Sequence, residues 1–393
     1  MGGRPTAERI GGFGTSVFTE MSRLAVEHKA INLGQGFPDF AGPDFVKEAA
    51  AAAIAAEMNQ YAPSHGTPRL RGAIAADWQR RYGREIDPER EVTVTTGATE
   101  AIFVAMLAFL DPGDEVIFFE PFYDAYVADV AMAGASARVV RLHAPDWHFE
   151  HDELATAFSD RTRLLLLNSP HNPTGKVFTR GELEQIAALC ARHDVTVITD
   201  EVYDRIVFDD NRHIPIATLP DMWERTLTIN STGKTFSMTG WKIGFTVGPA
   251  GLNAAIRAVH QFSTFATATP FQEAMAVALE TAEERGYYQQ LHNDYSERRD
   301  RLRAVLADAG LPPLECQGAY FLLSDVTPHG FDNDVDFCRY LVTEAGVAAI
   351  PPSAFYLDPS TAPPLARFCF AKRFETIDAA AERLGRLRAT AER

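Results

Sequence analysis

The feature that most restricts the fold is an alternation through the middle of the chain. Short runs rich in Val, Ile, Leu and Thr fall at 91–96, 115–120, 137–142, 163–168, 195–200 and 226–230. Longer stretches with helical periodicity separate them. Over 99–110, for example, Ile102, Phe103, Met106, Leu107 and Leu110 share one stripe, as in an amphipathic helix. Strand–helix–strand order brings successive strands together in parallel and covers both faces of the sheet. An α/β domain with a mostly parallel sheet is therefore predicted over residues 46–285.

At 393 residues the chain exceeds what one core holds comfortably. Residues 1–45 read as loop-rich, and 292–310 as a charged helix. The segments 319–325, 347–350 and 366–370 read as strands of a smaller sheet, closed by a helix at 376–388. A smaller α/β domain built from both chain ends, 1–45 and 286–393, is expected. A formal charge of −16 argues against a nucleic-acid or anionic-membrane partner. Four cysteines without a CxxC pair suit free buried thiols in a reducing compartment, and offer no metal site. Residues 1–15 hold no apolar signal run, and no stretch reaches the ~20 apolar residues of a membrane span. A cytoplasmic location is the expectation.

Four motifs come directly after predicted strands, at the edge where open α/β sheets bind ligands. The first is Ser231-Thr232-Gly233-Lys234, continuing to Lys242 and Gly244. Small residues around Lys234 leave room for a bulky group on its amine, and a lysine there can form a Schiff base. The second runs from Val195 through Asp200 to Tyr203. A carboxylate at that strand end can hold a pyridine nitrogen protonated, although taken alone a helix-capping Asp is the commoner reading. The third is Asn168-Ser169-Pro170-His171-Asn172-Pro173-Thr174-Gly175, whose prolines and glycine fix the backbone so that Asn172 points at a ligand. The fourth is Thr95-Thr96-Gly97-Ala98-Thr99-Glu100, a strand-to-helix turn able to cradle phosphate on backbone N–H groups. Glu120-Pro121-Phe122-Tyr123 adds an aromatic ring past another strand end.

With Asn32-Leu33-Gly34-Gln35-Gly36-Phe37-Pro38-Asp39, Asn59-Gln60-Tyr61 and Arg367-Phe368-Cys369-Phe370, these motifs resemble the fold type I pyridoxal-phosphate (PLP) enzymes over essentially the whole chain. Within them the pattern is similar to the class I/II aminotransferases, in particular the methionine aminotransferase and kynurenine/glutamine transaminase group. The resemblance implies Lys234 as the Schiff-base lysine and proton-transfer base, Asp200 on the pyridine nitrogen, and Tyr203 and Asn172 on the ring's phenolic oxygen. It implies Tyr123 stacked on the ring, and Gly97, Ala98, Thr99, Ser231 and Lys242 around the phosphate. Tyr61 and Phe265 would come across a homodimer interface, Tyr61 to the phosphate. Arg367 would grip the substrate carboxylate, with Gly36 beside it. Phe18, Tyr126, Phe265 and Phe355 are the candidates for the side-chain end of the pocket.

The kynurenine-type enzymes often carry Trp where this chain has Phe18 and His where it has Ala266, which turns the expectation away from kynurenine as main donor. Transfer of an amino group from a large neutral amino acid (methionine, aromatic, with glutamine and kynurenine as further candidates) to a 2-oxo acid is the predicted reaction. Cysteine-conjugate β-lyase and N-succinyldiaminopimelate aminotransferase activities are the alternatives. A non-enzymatic PLP-fold regulator would need a DNA-binding domain, for which residues 1–45 are too few.

Overall fold

The computed structural model describes residues 7–14 and 16–391; residues 1–6 and 15 of the N-terminal stretch read above lie outside it. In chain order the strands are β1 (Ile31–Asn32), β2 (Val92–Thr96), β3 (Glu115–Glu120), β4 (Ser136–Arg141), β5 (Thr162–Asn168) and β6 (Thr196–Asp200). They continue with β7 (Thr226–Ser231), β8 (Ile243–Val247), β9 (Phe321–Asp325), β10 (Val347–Ala348) and β11 (Leu365–Cys369).

Seven of these form the central sheet, in the order β2-β8-β7-β6-β5-β3-β4. β3 pairs in parallel with β4 and β5, and β6 in parallel with β5 and β7. Successive residues of β3 and β5 are mostly apolar because each face is covered, whereas β4 at the sheet edge is largely open and carries Arg138 and Arg141. Ile117, Phe119, Leu165 and Leu167 pack toward the helix Arg180–His193, whereas Val116, Phe118, Leu164 and Leu166 pack toward the helix Gly97–Phe109. The helix Arg180–His193 starts on a reciprocal capping box of Thr179 and Glu182 and stops at Asp194, which turns left-handed at φ 51°.

All six expected strands of the sheet are present, each within two residues of its expected ends. β8 was not anticipated, and it departs from the parallel rule: it runs antiparallel to both neighbours, β2 and β7. The consequence is local to the site. The parallel strands end along one edge of the sheet, and β8, running the other way, begins there. Lys242, the residue before β8, is thereby delivered to the same edge as the ends of β6 and β7.

The two chain ends meet outside this sheet. β1 pairs in parallel with β10, Ile31 opposite Val347 and Asn32 opposite Ala348. β9 pairs antiparallel with β11. Leu33 ties the two pairs together, its N–H donating to Ala348 O (2.9 Å) and its carbonyl accepting from Cys369 N (2.7 Å). The helices Tyr287–Asp308 and Phe374–Ala391 pack against this region. All four cysteines are buried and free. Among the described residues, no helix is long and apolar enough to cross a membrane.

Candidate active site

A cavity of about 320 Å³ opens along the strand-end edge, within the size range of small-molecule sites. Lys234 lies on its wall in the short helix Thr232–Thr235 that caps β7. Burial pulls its amine down to about 8 from the usual 10.5, against the pull of Cys369 and Asp200 and with the repulsion of Lys242 and Arg367. Near neutral pH a substantial fraction of such an amine is unprotonated, rather than about one molecule in a thousand. Its Nζ donates to the Tyr320 hydroxyl at 2.8 Å and lies 3.5 Å from Gly36 O.

Asp200, the last residue of β6, is buried, and desolvation raises its carboxyl above the usual range. Oδ2 accepts from the Tyr126 hydroxyl at 2.7 Å and Oδ1 from Val202 N at 3.3 Å. Asn168 holds the turn after β5, its Nδ2 donating to Asp200 O (2.8 Å) and its Oδ1 accepting from Asn172 N (2.7 Å). Asn172 Oδ1 in turn accepts from Arg367 Nη1 at 3.0 Å.

Arg367 projects from β11 and is 1% exposed. Its guanidinium lies over Phe321 (4.1 Å), Phe18 (5.2 Å) and Phe355 (5.2 Å). Nη2 donates to Gly34 O at 3.1 Å, and Nε is buried without a partner among the described residues. An orphaned donor on a buried cation is costly unless a ligand satisfies it. A carboxylate taken bidentate matches that unfilled capacity.

The helix Gly97–Phe109 points its first turn at the same cavity. Thr96 caps it with no side-chain bond, so the N–H groups of its first turn remain open. Lys242 Nζ sits 3.2 Å from Thr99 Oγ1. Gly97 adopts φ 76°, and a Cβ there would meet Lys242 Nζ at 3.0 Å. Gly244 on β8 lies so close that a Cβ would stand 2.6 Å from Ala98 N. Two glycines thus permit a narrow cationic cradle open to an anion.

The structure brings Lys234, Asp200, Tyr203, Asn172, Tyr123, Gly97, Ala98, Thr99, Ser231, Lys242, Gly36, Arg367 and Phe18 to this one cavity. Two expected pocket residues, Tyr126 and Phe355, are placed elsewhere, and Phe265, expected from across a dimer interface, is outside its own chain's cavity. Tyr126 lies in the first turn of the helix Ala125–Met132, whereas Tyr123 precedes that helix; the Tyr126 hydroxyl goes to Asp200 and the residue does not line the cavity. Phe355 backs Phe18 (ring centroids 5.8 Å) behind the cavity wall. Phe265 is on the surface, 39% exposed, its ring 5.2 Å from that of Tyr61, which is 84% exposed and outside its own chain's cavity. Residues not singled out from sequence also line the cavity: Gln35, Phe37, Ile102, Val202, Thr239 and Phe321. Of these only Gln35 and Thr239 are polar, and Phe321 is recognisable only once β9 is paired with β11. Tyr320 was missed as well, since its partners Lys234 and Gly36 are 86 and 284 residues away.

Comparison with known proteins agrees with this geometry. The chain is 47% identical over 391 residues to a probable N-succinyldiaminopimelate aminotransferase of Mycobacterium tuberculosis, covering 96% of this chain and 98% of the relative. It is 41% identical over 409 residues to human kynurenine–oxoglutarate transaminase 1, covering 96% and 97%. A crystal structure from Escherichia coli, in which a methionine aminotransferase function was identified, superposes with a TM-score of 0.94 at 43% identity, covering 98% of this chain and all of that one. The architecture is that of fold type I. The sequence profile of aminotransferase class I and II matches residues 28–384, and the chain belongs to that family of aminotransferases.

Proposed function

We propose that the protein is a PLP-dependent aminotransferase that takes large, uncharged amino acids as donors and works as a homodimer. The observation that carries the reading is the buried amine of Lys234, drawn down to about 8 in a cavity that also holds Asp200 and Arg367. The residues present fit the cofactor. Asp200 offers a desolvated carboxylate for the ring nitrogen, and the helix start at Gly97 with Ser231 and Lys242 offers the anion cradle. Tyr123 offers a ring face, with Tyr203 and Asn172 for the phenolic oxygen.

Bound there, PLP supplies an electron sink for the substrate Cα carbanion. Arg367 grips the substrate carboxylate through the donors left open on its guanidinium, which orients Cα toward Lys234. Lys234, as a neutral amine, takes and returns the proton at Cα, which is general base and acid work at a matched pKa. Phe18 and Phe321 close the apolar side of the cavity and exclude water around the guanidinium. Tyr61, Phe262 and Phe265 leave aromatic surface open to solvent in a single chain, which supports burial against a second copy. Tyr61 would then reach the phosphate of the neighbouring site.

Preference for uncharged donors has its origin in charge. The cations lining the cavity are Lys234, Lys242 and Arg367, and each already has a task. A second substrate carboxylate would be buried unpaired. A methionine or phenylalanine side chain gains about 1.5–3 kcal/mol from apolar burial, roughly ten- to a hundredfold in preference. The 47% identity to the Mycobacterium protein favours a second reading, transamination of an N-succinylated diamino dicarboxylate, which would require a cation from the second copy.

Two measurements test the proposal. Borohydride reduction of the yellow holoprotein and peptide mapping should find the cofactor on Lys234; its recovery on Lys242 or elsewhere would refute the assignment. A donor panel with one 2-oxo acid should rank methionine and phenylalanine above aspartate, glutamate and N-succinyldiaminopimelate in kcat/KM. The reverse order would overturn the pocket reading.

A further inference from the structure

Lys234 has a hydrogen-bond partner that the roles above do not use. The Tyr320 hydroxyl accepts from Nζ at 2.8 Å and donates to Gly36 O at 2.6 Å. With its single proton given to Gly36 O the hydroxyl turns a lone pair to the amine, and the Tyr203 hydroxyl is a further hydrogen-bond partner beside it. Gly36 O itself is 3.5 Å from Nζ, a much weaker contact. The ring cannot swing away. It is fully buried, stacked on Tyr295 (6.1 Å, 15° between planes) and met edge-on by Tyr203 (4.9 Å, 86°) and Phe321 (4.8 Å, 62°). Burial also drives the Tyr320 phenol well above its ordinary value, so it stays a neutral hydroxyl at working pH.

We propose that Tyr320 is a positioning residue for the reaction: its hydroxyl is the fixed seat of the Lys234 amine whenever that amine is free, and it ties the amine to the Gly36 carbonyl beside the substrate clamp. The inference rests on Lys234 being the reactive amine. Proton transfer at Cα needs the freed amine returned to one place in every turnover, and orientation secured in advance lowers the barrier. The same hydroxyl joins the lysine to the segment Gly34–Gly36, whose Gly34 carbonyl accepts from Arg367 Nη2. Carboxylate clamp and proton-transfer base thereby share one rigid frame.

The groups facing Lys234 come from several elements. Asp200 at the end of β6 and Cys369 on β11 favour the ammonium, while Lys242 before β8 and Arg367 on β11 disfavour it. The Tyr320 lone pair adds to the first set, since an acceptor on an N–H stabilises the charged form. Removing the hydroxyl should therefore lower the amine's affinity for a proton further.

Tyr320→Phe keeps the ring and removes only the hydroxyl. The full-length protein, stripped of cofactor, is labelled competitively with acetic anhydride across pH, and the Lys234 peptide is quantified by mass spectrometry. Wild type should show a midpoint near 8, and the variant a midpoint lower by about half a unit or more. In the loaded enzyme the variant should lose about tenfold in kcat with KM nearly unchanged. A packing role alone would leave the labelling midpoint in place, so coincident midpoints overturn the proposal. Should Tyr320→Phe fail to fold, 4-fluorophenylalanine at position 320 fills nearly the same space with a much weaker, non-ionising acceptor; the midpoint must move the same way, and an unmoved one refutes the idea. The borohydride mapping tests the underlying reading separately: cofactor on another lysine sinks both, whereas cofactor on Lys234 with coincident midpoints sinks Tyr320 alone.

Discussion

Tyr126→Phe offers a clean test of how Asp200 is kept useful. Tyr126 is 2% exposed, and its hydroxyl donates to Asp200 Oδ2 at 2.7 Å. The substitution preserves the ring, which is packed edge-on against Phe118 (6.2 Å) and Tyr123 (5.7 Å). Only one other donor among the described residues, Val202 N at 3.3 Å, then remains on the carboxylate. A hydrogen bond to a buried charge contributes about 1.5–3 kcal/mol, so kcat/KM should fall about 10- to 150-fold, mainly in kcat. Stability should change with a defined sign. Desolvation already raises the folded-state value of Asp200, so its stabilising contribution is complete below the unfolded value and lost as pH rises through the folded one. Removing the Tyr126 hydroxyl raises the folded value further. The variant should be less stable than wild type near pH 8, and the gap should narrow on acidification as Asp200 becomes protonated in both. Steady-state kinetics with methionine, and urea unfolding of cofactor-free protein at both ends of that range, provide the assay. Kinetics within twofold of wild type and a pH-independent stability gap would refute the reasoning.

Two further outcomes are expected. Schiff-base formation by the cofactor-free protein, monitored by PLP absorbance, should accelerate as pH rises through about 8, because the nucleophile is the neutral amine of Lys234; a midpoint near the ordinary 10.5 would contradict the burial argument. Asp129 is 5% exposed, its carboxyl is pushed up to about 7 by burial and by Asp124, and among the described residues its Oδ2 has no partner. Stability should therefore drop as pH rises through about 7. Asp129→Asn should raise stability by about 1–3 kcal/mol more at pH 8 than at pH 5, read as melting temperature; a gain equal at both pH values would exclude the carboxyl as cause.

The sheet is legible in the sequence because its central parallel strands are buried on both faces and so read as runs of apolar and β-branched residues. The motifs at their ends are legible for a related reason: in such a sheet, the loop after each parallel strand must lie at the ligand edge. β8 is not, because Ile243-Gly244-Phe245-Thr246-Val247 is short and carries a glycine demanded by the approach of Ala98. Tyr126 escapes its sequence assignment because the helix Ala125–Met132 begins between it and Tyr123, so the two tyrosines stand on different elements. Tyr320 is invisible because nothing local to Ala319–Phe321 distinguishes a phenol that holds a lysine from one that fills a core.

The pairing of β1 with β10 bears on the order in which the enzyme is made. Asp200 and Lys234 are carried by strands that are complete once the chain has been synthesised to β8. The segment Gly34–Gly36 has by then left the ribosome, yet its neighbours in the fold have not. Arg367 reaches Gly34 across 333 residues of sequence, and β10 and β11 emerge only after β8 and β9. A nascent chain thus acquires Lys234 and Asp200 before it acquires Arg367, the clamp proposed for the substrate carboxylate. The reactive end of the cavity is made before the end proposed to hold the substrate.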